Sequence, residues 1–525
     1  MLTFTGHAGF KYETEETIIL MDPWMSRYGA FDRAWYQFPP NHNLGDTIRG
    51  MIESTKKDVF IYISHEHKDH FDIPYLETLN QNKITYITPN FRRDHVVGKL
   101  SELNPKDVVA LEDKVKYSTD SLDIYLFLDD NELNRDSGIG IVDKNNKTNI
   151  LNLNDCKIYD RIPEIVETIG SIDIFSCQFS GAVFHPVCYD YPEKKYAEIS
   201  DSKVQGKFDA VKRVLEQVKP KLYIPAAGPP VFLDKDLFHI NFQESNIFPS
   251  PLNFRDYLNE EISEVDVCVP VPGTDFTFEE DLIKITHPLE DYESLFDKST
   301  LEAYQESVME ILDERQKSLE TYEPEKVFNQ LHKELESKLI DFELTHEMKV
   351  VLKFSLNEVD NKAIYIDFKD LTATVLEEVE ENKGGANTYE ISASAGDIGR
   401  LLDGYQNWDD FMLSFRHKLH RTPDVYQVAI NGFLVMEKED INAFCSNLMK
   451  LENQKERINV EVGGIEYSVD KYCPHQGTDL STGWVEDGRY LVCPKHRWMF
   501  DMEDGGQAVE ADATINAVDL DGDGS

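Results

Sequence analysis

The stretch Ser64–His70, "SHEHKDH", decides how the first half of this 525-residue chain is read. It places His65, His67, Asp69 and His70 directly after the apolar run "DVFIYI" (58–63), which has the composition of a buried strand. Side chains alternate along extended chain, so His65 and His67 are expected to point the same way. The continuing turn brings Asp69 and His70 to a neighbouring position. Two imidazoles for one ion, and a carboxylate with an imidazole for a second, make a dinuclear metal site. A plain surface loop is a poor account of three histidines packed so tightly behind a buried strand.

Outward from that motif, residues 1–290 alternate short apolar runs with polar loops: "TIILMDPW", "ITYITPN", "LDIYLFL", "TNILNLND", "IDIFSCQFSG" and "KLYIPAAG". Near-continuous apolar strands imply sheets covered on both faces. Phe208, Val211, Leu215 and Val218 recur at helical spacing, and Pro220 ends that run. The reading is an α/β sandwich whose strand-end loops carry the chemistry. Residues 291–455 form an α+β middle region: a charged helical block, β alternation broken by the turn signal "NKGGAN" (382–387), then more helix. The polar "KLENQKER" (450–457) marks the boundary before a last domain, residues 456–525. The tail "DLDGDGS" has the Asp/Gly spacing of a calcium loop without the rest of that motif, and reads as a disordered acidic end.

With 41% apolar and 11% aromatic residues the chain can bury sizeable cores, and its length calls for two to four domains. A formal charge of -44 argues against binding nucleic acid or anionic membrane surfaces. Seven scattered cysteines make a poor disulfide framework and fit a reducing interior. The opening residues lack a basic stretch followed by an apolar one, and no run is long and apolar enough to span a bilayer. A cytoplasmic, soluble protein is expected.

The motif resembles the HxHxDH signature of the metallo-β-lactamase fold, and the flanks extend the likeness over residues 1–290. "GHAGFKY" and "ILMDPW" look like the family's opening hairpin and Asp-bearing strand, which implies that Asp22 braces the histidine loop. "ILNLND" looks like the strand that delivers a metal-bridging carboxylate, here Asp155. The family's third histidine for the first metal is missing: the corresponding "DDNELNRDSG" offers Glu132, or else Asp129 or Asp130. A carboxylate in place of imidazole hardens the site and moves its preference from zinc toward iron or manganese. For the last ligand of the second metal, chain order favours His239 in "FLDKDLFHI", with His185 in "SGAVFHPVCY" as the alternative. His7 either lines the pocket or makes a structural hydrogen bond, and His95 reads as an ordinary helix residue.

A second constellation closes the chain. Cys473-x-His475 and Cys493-x-x-His496 stand 17 residues apart, in segments whose Pro and Gly suit tight turns. A zinc knuckle is the competing reading. The order Cys-His then Cys-His resembles the Rieske pattern instead, which implies a [2Fe-2S] cluster with two thiolates on one iron and two imidazoles on the other. The loops lack the extra cysteine pair of respiratory Rieske proteins, so the site resembles the ferredoxin and oxygenase kind.

A hydrolase needs no electrons, whereas two non-haem irons fed by a one-electron relay suit oxygen activation. The pairing resembles the CMP-N-acetylneuraminic acid hydroxylase family, as do "SGAVFHPVCYDYP", "IPAAGPP" and "WDDFMLSFRHKLHRTPDVYQVAINGFL". In that family the Rieske module precedes the other domain; here it follows, so the substrate is not carried over. The resulting expectation is a Rieske-coupled diiron monooxygenase acting on a small molecule by C-hydroxylation or N-oxygenation, with a ferredoxin or flavin reductase as donor. The alternative is a dizinc hydrolase with a redox-sensing Rieske appendage. The middle region is expected to position the relay or build a homo-oligomer interface. Lys194, Lys195, Lys203, Lys207, Lys212 and Arg213 form a basic run that reads as a solvated helix face or as a site for an anionic substrate.

Overall fold

A computed structural model describes the whole chain except residues 94, 134, 280–281, 345–347, 349, 378–386 and 521–525. The turn "NKGGAN", apart from its last residue, and the end of the acidic tail lie outside the described residues. The chain divides into two compact units. The first comprises Met1–Asp130, Asn134–Val183 and Pro192–Glu314; the second comprises Asn131–Leu133, Phe184–Tyr191 and Arg315–Ser525.

The first unit is built on two sheets. One has eight strands, in spatial order Leu282–Thr286, Asp275–Glu279, Leu2–Gly6, Gly9–Glu13, Thr17–Met21, Asp58–Tyr62, Ile84–Pro89 and Asp107–Leu111. The other has seven, in order Asp266–Val267, Leu222–Ala226, Ile174–Gln178, Asn149–Asn152, Arg135–Asp143, Leu122–Asp130 and Tyr117–Ser118. Period-two alternation explains how they stack. In Asp58–Tyr62, Phe60 and Tyr62 join Ile124, Ile139, Ile150 and Ile224 in a core between the sheets. Val59 and Ile61 face the other way, under Ile48 and Ile52 of helix His42–Ser54 and Leu100 of helix Val96–Glu102. The outer face of the second sheet is covered by Ile162, Ile165 and Ile169, by Phe208, Val211 and Leu215, and by Phe254 and Leu258. Helix, sheet, sheet, helix is the αββα sandwich that the motif implied. Sheets buried on both faces require the near-continuous apolar strands seen in the sequence.

Both sheets run parallel at their centres, Thr17–Met21 beside Asp58–Tyr62 and Asn149–Asn152 beside Ile174–Gln178. The loops leaving these strands carry the histidine motif and Asp155. Asp22, directly after Thr17–Met21, has φ 39°, and its N–H donates to the carbonyl of Tyr62. That residue therefore turns its carboxylate into the next strand's exit.

The second unit has a five-stranded sheet in order Thr372–Glu377, Lys362–Asp367, Val350–Leu356, Asn387–Ala393 and His417–Thr422. Helix Pro324–Leu339 packs Val327, Phe328, Leu331 and Leu335 on it, together with Phe433 and Phe444 from later helices. The same unit holds the C-terminal all-β module, a three-stranded sheet led by Arg457–Val462 and a four-stranded one from Trp484–Glu486 to Gln507–Ala508. Among the described residues, no helix is long and apolar enough to cross a membrane.

Candidate metal centres

His65, Asp69 and His70 are buried, and a turn in which the N–H groups of His70 and Phe71 donate to the carbonyl of His67 folds the motif on itself. His65 Nε2 lies 2.8 Å from His67 Nδ1, so these two nitrogens converge on one point. His70 Nε2 lies 3.8 Å from Asp69 Oδ2 and 3.7 Å from Asp155 Oδ1. Asp69 Oδ1, His70 Nε2 and Asp155 Oδ1 are buried and have no hydrogen-bond partner. Buried polar atoms left unsatisfied are rare in folded proteins, and three at one point fit a metal ion. Two ligand groups emerge: His7, Asp69 and His70, and, sharing His70, His65 with Asp155.

The opposite faces of the rings are held by carboxylates. Asp22 accepts from His70 Nδ1 (2.9 Å), from the Ser64 N–H (2.8 Å) and from Ser64 Oγ (2.7 Å). This holds a proton on His70 Nδ1 and makes Nε2 the nitrogen that would ligate. Asp136 Oδ1 stands 3.2 Å from His65 Nδ1, on a carboxylate only 2% exposed. Burial, with the charges of His70 and His67 beside it, lowers the His65 pKa to about 3, which keeps that ring neutral and able to ligate. Burial works against a charge on His70 too, but Asp69 and Asp155 outweigh it and raise its pKa to about 10. The field at Nε2 is thus one that attracts a cation.

Of the other expected ligands, His239 and Asp130 lie elsewhere. His239 is exposed on the short helical turn Phe238–Phe242, where Leu237 and Ile240 take the inward positions. Its place beside Asp69 is taken by His7, whose Nε2 lies 3.1 Å from Asp69 Oδ2. His185 belongs to the second unit and contacts the Tyr191 hydroxyl (3.0 Å). Asp130 is ion-paired with Arg92 (3.0 Å), and Glu132 groups with the second unit. Asp129 sits directly opposite Asp136 across the hairpin, on the same face of the sheet, with its Oδ2 buried. Asp136, which the sequence reading passed over, is a carboxylate of this hairpin that meets the histidines. Its only signal is an acidic side chain opening the run "DSGIGIV" (136–142), whose other residues are apolar or small.

In the C-terminal module the Cys473 and Cys493 side chains are buried and within hydrogen-bond reach of each other. Backbone N–H groups of His475 and Gln476 point at the Cys473 sulfur, and those of Lys495 and His496 at the Cys493 sulfur. Such donors stabilise thiolates and raise a cluster's potential. The His475 and His496 rings are 4.6 Å apart, and His475 stacks on Trp498 at 4.6 Å with planes 2° apart. Tyr426, which bridges to Ala511, packs edge-on against both His475 and Trp498. Two adjacent buried sulfurs and two neighbouring imidazoles suit a [2Fe-2S] cluster.

A family model for the Rieske [2Fe-2S] domain matches residues 432–518, beginning upstream of the boundary expected at 456. Over nearly its full length the chain is similar to a putative Rieske 2Fe-2S iron-sulfur protein of Mycolicibacterium smegmatis, 26% identical over 96% of this chain and 97% of that one. It is also similar to the cytidine monophosphate-N-acetylneuraminic acid hydroxylase of Danio rerio, 23% identical over 52% of this chain and 45% of that protein. Among solved structures, the diiron β-hydroxylase CmlA of Streptomyces venezuelae is 13% identical over 55% of this chain and 53% of its own, with a TM-score of 0.32.

Proposed function

We propose that the protein is an O2-dependent oxidoreductase, a Rieske-coupled monooxygenase with two non-haem irons that inserts one oxygen atom into a small molecule. The observation that carries this reading is the presence of two distinct clusters of ligand-type side chains in one chain. One is a Rieske module built for single electrons, and the other is a cluster of imidazoles and carboxylates in which buried Asp69 Oδ1, His70 Nε2 and Asp155 Oδ1 have no hydrogen-bond partner. The hydroxylase similarity supports an oxidoreductase. Residues 1–290 would carry the oxygenase centre, 456–525 the relay, and 291–455 would link them.

His65 and His67 would hold the first iron. Asp69, His70 and His7 would hold the second, and Asp155 would bridge. Irons at these positions would supply the redox chemistry of O2 activation, and the [2Fe-2S] cluster would supply one-electron transfer. The overall reaction takes a substrate C–H or N–H bond, O2, two electrons and two protons to the hydroxylated product and water. The protein's own contribution is orientation. Asp22 keeps the proton on His70 Nδ1, and Asp136 with Ser64 Oγ does the same for His65 Nδ1. The electrons would come from a ferredoxin or a flavin reductase.

Metal analysis tests the reading directly. About four irons per chain, two in each site, are expected, with a rhombic Rieske signal in low-temperature electron spin resonance of the reduced protein. Two irons with a full complement of zinc in well-folded protein would replace it with the dizinc hydrolase.

A further inference from the structure

Helix Glu193–Val218 carries the basic run, and the structure separates its members. Lys194 pairs with Glu198 and Lys212 with Glu261, as a solvated face would arrange them. Lys207 differs. Its Nζ donates to Gln178 Oε1 (3.0 Å), lies 3.5 Å from the Tyr159 hydroxyl, and sits 5.8 Å above the Tyr159 ring. All of these partners are neutral, and no carboxylate of the described residues forms an ion pair with it. Gln178 ends the strand beside Asn149–Asn152, and its N–H donates to the carbonyl of Asn154 (2.7 Å). One hydrogen-bonded path therefore joins the ammonium group to the residue preceding Asp155. Lys207 and Asp155 are both partly exposed, so solvent reaches them.

A cation in a packed setting with only neutral partners is costly, and a methionine would fill the same space without that cost. Burial, reinforced by the charge of Lys157, lowers the Lys207 pKa to about 7, with Cys177 and Asp155 opposing. Uncompensated charges beside a metal centre mark functional positions, and an ammonium group is a compact point charge suited to oxyanions. We propose that Lys207, held by Gln178, anchors an anionic group of the substrate, a carboxylate or a phosphate, beside Asp155. The inference rests on reading this centre as the one where substrate reacts, and it names the substrate's chemical class.

Binding of inorganic phosphate and of butyrate to the full chain tests it, by calorimetry on iron-loaded and on chelator-treated protein. Saturable binding of at least one of the two anions is expected in both forms, weakened at least about tenfold in Lys207→Met and retained in Lys207→Arg. Which anion binds assigns phosphate or carboxylate. Melting temperature and the visible spectrum of the Rieske cluster show that the variants are folded. Equal affinity in Lys207→Met and wild type, or no saturable binding of either anion by wild type, overturns the proposal. Anion binding that vanishes with the metal and ignores Lys207 also overturns it, while leaving the oxygenase reading intact. Lys207-dependent binding in a protein whose first centre takes zinc and no iron keeps the anchor and removes the oxygenase.

Discussion

Replacing His7 by asparagine, and separately replacing His239 by asparagine, separates the two candidates for the second metal's last ligand. His7 has φ 52°, a left-handed conformation that asparagine tolerates and alanine resists, so the substitution removes the imidazole without straining the turn. His7, Asp69 and His70 offer three ligand atoms within 4.8 Å of one another, and their side chains are almost wholly buried. Losing one of three protein ligands should cost more than losing an outer partner, for which 10- to 100-fold in metal affinity is typical. A weakening of about 100-fold, ~2.7 kcal/mol, is therefore expected for one of the two non-cluster metals. Exposed His239, on its surface turn, should change neither affinity by more than about twofold. Chelator-treated protein titrated anaerobically with Fe(II) resolves the two equivalents, with the cluster irons counted from the visible spectrum. Wild-type binding of both equivalents by His7→Asn, with one equivalent lost in His239→Asn, would refute the assignment.

Asp22→Asn should weaken metal binding at His70 by about 10- to 100-fold, because the amide presents a donor to His70 Nδ1 and drives the proton to the ligating nitrogen. Competition with a chromophoric chelator reads this, and an unchanged affinity rejects the bracing role. Cys493→Ala should abolish the Rieske spectrum and remove about two irons per chain, while the other metals stay bound. Loss of all four in folded protein would show that the sites are not independent. Lys338 is fully buried, 4.1 Å from the Trp408 ring centre, and burial lowers its pKa to about 7. A depressed lysine costs stability that is fully felt below pH 7 and regained as pH rises toward its unfolded value near 10.5. Lys338→Met should therefore stabilise the protein by about 1–4 kcal/mol at pH 7, with the gain shrinking by pH 10. Denaturant titration at the two pH values checks both the sign and the trend.

The histidine motif was legible because its chemistry is local. A buried strand followed by a tight turn sets the directions of His65, His67, Asp69 and His70 almost without help from the rest of the fold. The two Cys-His pairs of the Rieske module were legible for the same reason, each occupying one turn. What failed to show was long-range. His7 meets Asp69 across 62 residues of sequence, and nothing in "TGHAG" says which strand exit it will face. In "DDNELNRDSG" four acidic positions compete, and only the hairpin register, which sets Asp129 opposite Asp136 on one face, tells which of them share a side of the sheet. His239 followed the right strand, but the turn spends its buried positions on Leu237 and Ile240. The basic run likewise looked uniform until packing turned Lys207 inward.

Charge balance joins these residues into one argument about metal content. Asp69 and Asp155 at the ligand positions, with Asp22 and Asp136 behind the imidazoles, bring four carboxyl groups to the site, and two divalent cations would balance four carboxylates. Without metal, protons must do part of that work, and His70, with its pKa raised to about 10, holds one of them at neutral pH. A metal ion at Nε2 must displace that proton. Affinity for the ion bound through His70 should therefore rise about tenfold per pH unit from pH 7 to 9 and level off above about 10, where the ring is already neutral. Chelator competition across that range measures the slope. A flat profile would mean that His70 carries no proton in the metal-free protein, and that the carboxylates around it are balanced by something other than the ligand set described here.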